Sequence, residues 1–247
     1  MPTPLVVLLV LSVAGATLLG GALPFRFERH NRVFLFFSAG TLVGLALIEL
    51  IPEGIHGGAG DAHNAMLYVL AAFLVTMLLD KLHVLHPHAH GMDEECPHEE
   101  HEHPPLAMHG AVGLLVHSAV DGLALSAAVR GSFAAAVTVA IALAAHKFAD
   151  GLTTASLVLT HHHRRRAAVR LLAGNAALLV VGFGVGMMLP LEEEQLSGLL
   201  LVMAGFFLYL GATDLIPSLT SPSCRARDVL VTGAGMATIA AVVGFSH

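Results

Sequence analysis

Apolar residues fall along this chain in long unbroken runs, unlike the short alternation of a half-buried strand or the one-sided stripe of a surface helix. Eight such runs, at residues 4–23, 33–55, 65–85, 106–129, 132–160, 167–191, 196–218 and 229–245, each reach the roughly 17 residues a helix needs to cross a bilayer. Short polar or Gly/Pro-bearing breaks separate them. Strand-period alternation is absent, so a transmembrane β-barrel does not fit. The expected fold is an all-α integral membrane protein of eight transmembrane helices, with residues 1–247 as one transmembrane domain. The first run has no Lys or Arg ahead of it and no small-residue cleavage site behind it, so it reads as a retained helix.

Charge orients these helices. The chain is 55% hydrophobic and only 12% charged, and its net charge of -6 conceals a sharp asymmetry. Ten of the 12 basic residues (Arg26, Arg29, Arg32, Lys81, Arg164, Arg165, Arg166, Arg170, Arg225 and Arg227) lie in or beside the loops after runs one, three, five and seven. Only Arg130 belongs to the other set of loops, and Lys147 sits inside a run. The positive-inside rule then places those four loops in the cytoplasm and both termini outside a cell membrane, plasma or inner. Cys96 and Cys224 fall in cytoplasmic loops, where disulfides are rare.

Two internal similarities relate runs of opposite direction. AGTLVGLALIELIPEG from Ala39 matches AGFFLYLGATDLIPSL from Ala204 at an offset of 165, pairing Glu49 with Asp214. HSAVDGLAL from His117 matches HKFADGLTT from His146 at an offset of 29. Both fit one inverted-topology repeat, arranged 3+2+3, with a site at its pseudo-two-fold axis. The longest interruption, 86–105 (HPHAHGMDEECPHEEHEHPP), is too polar to form a core and is expected to be a disordered cytoplasmic loop able to collect metal.

The repeat directs attention to His117, Asp121, His146 and Asp150. Each His/Asp pair is four residues apart and stacks on one helix face. A carboxylate at the bilayer centre costs about 2.5 to 3.5 kcal/mol, so two of them call for a cation. Two imidazoles and two carboxylates suit tetrahedral zinc and admit iron, manganese or cobalt. Gly122 and Gly151, each just after its acid, are expected to let the two helices approach. Glu49, Glu53 and His56 near one end of run two, and Asp214 near the opposite end of run seven, are candidates for a pathway or gate. Polar residues at helix ends that only reach headgroup water are the competing reading. Pro52 and Pro217 are expected to kink these helices and free backbone carbonyls. Lys147 is costly to bury charged unless it pairs with Asp121 or Asp150 as a built-in cation; the other option is a stem that snorkels to water.

At HSAVDG and HKFADG the sequence resembles the ZIP (Zrt/Irt-like) family of metal transporters, and the resemblance extends over nearly the whole chain. It implies a transporter domain with a His-rich loop after helix three, an elevator-type carrier moving Zn²⁺, and at times Fe²⁺, Mn²⁺, Cd²⁺ or Co²⁺, toward the cytoplasm. It also implies that His117, Asp121, His146 and Asp150 form the primary metal site. Many members have Asn after the first His and a polar or acidic ligand after the second, which build a second metal site. Here Ser118 and Lys147 stand there, so a single metal is expected, with Lys147 as the surrogate of the second cation. The expected partners are metal ions, membrane lipid and a second copy of the chain in a homodimer, with no nucleic acid. Transport is expected rather than catalysis. The alternative class is an intramembrane zinc-dependent hydrolase, which Ser118 beside His117 superficially invites.

Overall fold

The computed structural model describes residues 2–58, 61–84, 104–162, 165–189, 191–215 and 225–246, except the side chains at 82–84, 104–109, 111, 160–162, 214–215 and 245–246. The stretch 86–103, Cys96, Cys224 and Pro217 lie outside the described residues, as does the side chain of Asp214. The elements are α1 (Thr3–Arg26), α2 (Asn31–Gly44), α3 (Ile51–His56), α4 (Ala62–Val84), α5 (Pro104–Gly131), α6 (Phe133–His162), α7 (Arg165–Met188), α8 (Glu193–Tyr209) and α9 (Ala226–Ser246). A π-helical turn, Leu45–Leu50, joins α2 to α3 in a single crossing, and a second, Leu210–Leu215, extends α8. Among the described residues there is no strand, and eight helices are long and apolar enough to cross a membrane. The chain is an all-α multi-pass membrane protein.

Local chemistry sets the helix ends. The Asp61 carboxylate accepts the Asn64 N–H at 2.9 Å to cap α4. After a single residue outside helix, the Ser132 hydroxyl accepts the Ala135 N–H at 3.1 Å and starts α6 antiparallel to α5. Pro104 and Pro105, counted above with the polar loop, instead open α5, where a missing N–H leaves no bond unmade. Gly58, at φ 91°, ends the second crossing in the left-handed region.

Lipid as solvent turns the usual distribution inside out. Leu8, Leu11 and Leu19 of α1 and Leu70, Val75 and Leu79 of α4 face outward, while His117, Lys147, Asp150 and Asn175 are buried. α4 packs mainly on α8 and leaves Leu67, Leu70, Leu74, Val75, Leu78 and Leu79 exposed, as a helix facing lipid would.

Glycines show how the helices group. A Cβ on Gly20 would overlap the Phe148 carbonyl, and one on Gly151 the Thr17 carbonyl, closing α1 on α6 backbone to backbone. Gly122 and Gly182 do the same for α5 and α7, Gly40 and Gly235 for α2 and α9, and Gly205 for α8 against α4. The first two seams, with α5 against α6 and α1 against α7, define one group of four helices; α2, α4, α8 and α9 form the other, with α3 packing on α8 within it and α2 packing on α6 between the groups. Between the groups the glycine contacts run to side chains: Gly110 meets Leu210 and Gly113 meets Phe206.

Here the expectation for Gly122 and Gly151 is corrected. They do not join the fourth and fifth crossings but clasp α7 and α1. Each follows its acid by one residue, and one residue turns about 100° around a helix, so a glycine beside a site-facing acid faces another neighbour.

The same substitution should therefore have opposite effects at two glycines. Gly40→Ala drives a methyl into the Thr232 carbonyl and should destabilise by about 1–3 kcal/mol. Gly15→Ala meets nothing within 4 Å and should leave the protein as stable or more so, since Ala is the better helix former. Thermal unfolding of both variants in detergent, with the melting temperature falling only for Gly40→Ala, is the expected result.

Candidate metal site

α5 and α6 run antiparallel and present their His/Asp pairs toward each other. His117 Nε2 lies 3.2 Å from Asp121 Oδ2, and His146 Nε2 lies 3.6 Å from the same oxygen. Ligand atoms of His117, Asp121 and His146 all fall within 4.8 Å of one another, and all three residues are buried. The ring nitrogens of both histidines have no hydrogen-bond partner. A buried imidazole normally finds one, so these are atoms prepared for a cation or a proton. Phe207 of α8 closes the site from the other group, edge-on to the His117 ring at 4.7 Å between centroids.

Asp150 stands at the edge of this cluster. Its Oδ2 is 3.5 Å from His117 Nε2 but accepts a hydrogen bond from Lys147 Nζ at 2.7 Å. Lys147 does not snorkel: it is fully buried, with Nζ also 2.7 Å from Asp121 Oδ2. It also donates to the Ser118 hydroxyl at 2.7 Å. The buried ammonium is thus hydrogen-bonded to Asp150 and Ser118 and faces Asp121 as an ion pair, so its charge is compensated by both acids.

The network continues through residues that sequence reasoning missed. Ser118 donates to the side-chain oxygen of Asn175 on α7, Asn175 Nδ2 donates to Thr154 Oγ1 at 3.1 Å, and Thr154 donates to the Asp150 carbonyl at 2.8 Å. The path from Lys147 thus closes on the residue that Lys147 also grips. A signal for Asn175 was present, because an amide in the apolar run RLLAGNAALLVV has to find partners inside the bundle.

The pathway candidates separate. Glu49, on the first π turn, brings Oε1 to 3.4 Å from His146 Nδ1, with its side chain 20% exposed. Glu53 and His56 are exposed on α3. Asp214 lies in the second π turn, its side chain outside the described residues. Pro52 is the second residue after its π turn, so the irregularity expected at the proline is an enlarged turn shortly before it.

Asn175→Leu should strand the Ser118 and Thr154 hydroxyls and cost about 1–3 kcal/mol for the buried groups left unsatisfied. The expected outcome is a lower melting temperature for N175L, with Asn175→Gln recovering part of the loss. Equal melting of N175L and the parent would mean that the network contributes nothing to stability.

Comparison with known proteins bears directly on this geometry. The chain is 23% identical over 250 aligned residues to zinc transporter ZIP4 of Rattus norvegicus, and 23% over 251 to that of Mus musculus. Each alignment covers 76% of this chain and 38% of the relative, so the chain spans well under half the length of the curated proteins it matches. The model of the family described as ZIP Zinc transporter matches residues 83–245, which include the whole His/Asp cluster, both helices that carry it and the α7 amide behind it. A match over that much of the chain settles its membership: the protein belongs to the ZIP zinc transporter family.

Proposed function

We propose that this protein moves a divalent transition metal, zinc foremost, toward the cytoplasm by alternating access, holding one ion between α5 and α6 through His117, Asp121, His146 and Asp150. The observation that carries this reading is the convergence of His117, Asp121 and His146 in a buried site whose imidazole nitrogens have no protein hydrogen-bond partner. Nitrogen and carboxylate ligands suit Zn²⁺ and also admit Fe²⁺, Mn²⁺, Cd²⁺ or Co²⁺. Members of this family are transporters, and the site agrees with passage rather than catalysis. Ser118, the one hydroxyl that invited a hydrolase, accepts from Lys147 and donates to Asn175, so it is not held as a nucleophile.

The grouping of the helices supports an elevator. Every residue of the cluster belongs to α5 or α6, inside the group closed by glycine seams, and side chains alone line the glycine contacts to the other group. The inverted repeat draws support from the π turns: Leu45–Leu50 and Leu210–Leu215 lie 165 residues apart, the offset of the sequence match, and each holds one acid of the Glu49/Asp214 pair. Glu49, Glu53, His56 and Asp214 are assigned to the approaches on the two sides, and the 86–105 loop to a cytoplasmic metal-collecting tether. The charge asymmetry of the loops supports termini outside a cell membrane.

Lys147 stands where a second cation would. At about 4 Å, two unit charges repel by roughly 4 kcal/mol at an effective dielectric of about 20, enough to keep a second ion away. One metal per site is the consequence.

Asp121→Ala and His146→Ala should each nearly abolish zinc uptake into proteoliposomes with helicity intact; uptake within about twofold of the parent for both would remove this site from the pathway. Lys147→Glu exchanges the resident cation for a ligand beside Asp121 and Asp150 and should raise the metal content of the site from one to two. The count is made on protein lacking residues 88–103, so that loop histidines add no ions. Two ions at the site of the unsubstituted lysine protein would overturn the single-metal reading.

A further inference from the structure

Among the described residues, Glu49 is the acid that the α2, α4, α8 and α9 group brings to the site. Its position is unusual. The His146 ring spans the boundary between the helix groups, with Nε2 toward Asp121 at 3.6 Å and Nδ1 toward Glu49 Oε1 at 3.4 Å. The second oxygen of Glu49 is buried and has no hydrogen-bond partner. A metal-bound imidazole gains from donating its other N–H to a carboxylate, which fixes the tautomer and raises the basicity of the ligating nitrogen. Glu49 is placed to accept that proton's hydrogen bond, on the side of the ring away from the metal cluster.

Two further observations make this contact specific to one arrangement of the helices. Glu49 is carried on a π turn, a strained piece of helix with one residue too many per turn. Its partner lies on α6, which packs on α2 as well but closes at backbone distance, through Gly20 and Gly151, on α1. A shift of one group along the other would part Glu49 from His146, whereas Asp121, on the α5 that packs on α6, would stay with His146.

We infer that Glu49 is a positioning residue for His146 in the arrangement seen here alone, so that the site holds its ion more tightly in this state than after the helix groups have shifted. The inference rests on the carrier reading above and adds a source of release to it. The ion loses no ligand when the groups move; the imidazole that ligates it loses the carboxylate that orients it and becomes a weaker ligand. Asp121, Asp150 and the ammonium of Lys147 keep their relation throughout, since all belong to α5 and α6.

The test uses the full chain in proteoliposomes with Zn²⁺ alone, and KM and maximal rate are measured from each face of the membrane in turn. Three proteins are compared: the parent, Glu49→Gln and Glu49→Leu. Gln is a poor zinc ligand but its amide oxygen can accept an Nδ1 hydrogen bond as the carboxylate would, so E49Q should stay within about threefold of the parent in KM. E49L should raise KM about tenfold or more from one face and leave the other face within about twofold. Equal impairment of E49Q and E49L would make Glu49 a direct ligand and overturn the inference. So would an equal rise from both faces, or a KM for E49L that stays close to the parent from both. If E49L fails to insert, as judged by gel filtration, Glu49→Ser removes the acceptor's reach with a smaller side chain and is scored in the same way. Failure of the carrier reading would show differently, as a parent protein that moves no zinc, and would end this inference with it.

Discussion

Everything at the centre of this molecule depends on a lysine between two aspartates. An Asp at the middle of a bilayer costs about 2.5 to 3.5 kcal/mol, and this bundle buries two, on facing helices. Lys147 stands 2.7 Å from an oxygen of each and also donates to Ser118. The Ser118–Asn175–Thr154 path gives that hydroxyl partners of its own and draws α7 into the same network. The lysine and its partners thus tie α5, α6 and α7 together in one polar network.

That network is matched by the packing. Glycines let α1 reach α6 and α5 reach α7 at backbone distance, where many small contacts add up and little can slide. Toward α8, the neighbours of Gly110 and Gly113 are the side chains of Leu210 and Phe206, which can change rotamer at small cost. The glycines therefore distinguish backbone-to-backbone seams around the His/Asp cluster from side-chain contacts toward α8.

Much of this could be read in the sequence, for identifiable reasons. Eight apolar runs became eight crossings because length and hydropathy leave a bilayer-spanning segment little choice. The His/Asp pairs could be read because i,i+4 spacing fixes a shared face whatever the surroundings, and His117 and His146 do meet Asp121. Gly122 and Gly151 were misread because their neighbours depend on the angle at which each helix is inserted, which no local pattern records. Asn175 was missed because a single amide has no periodicity, and its partners Ser118 and Thr154 lie 57 and 21 residues away. The π turns were foreshadowed only by Pro52 and Pro217, since an extra residue in a turn reflects how carbonyls are shared among packed helices.

The resident ammonium also bears on how the carrier would respond to membrane voltage. With both imidazoles neutral, as ligation requires, Asp121, Asp150 and Lys147 sum to a single negative charge, and a bound divalent ion turns that into a single positive one. On the carrier reading proposed above, a cell interior that is electrically negative would pull the loaded site inward and push the empty site outward, each by up to about 2.3 kcal/mol per 100 mV if the charge crossed the whole field. With a neutral residue in place of the lysine, the loaded site would carry no charge and its inward step would lose that help. On that reading, one permanent positive charge at the site would let the membrane potential assist both halves of the cycle.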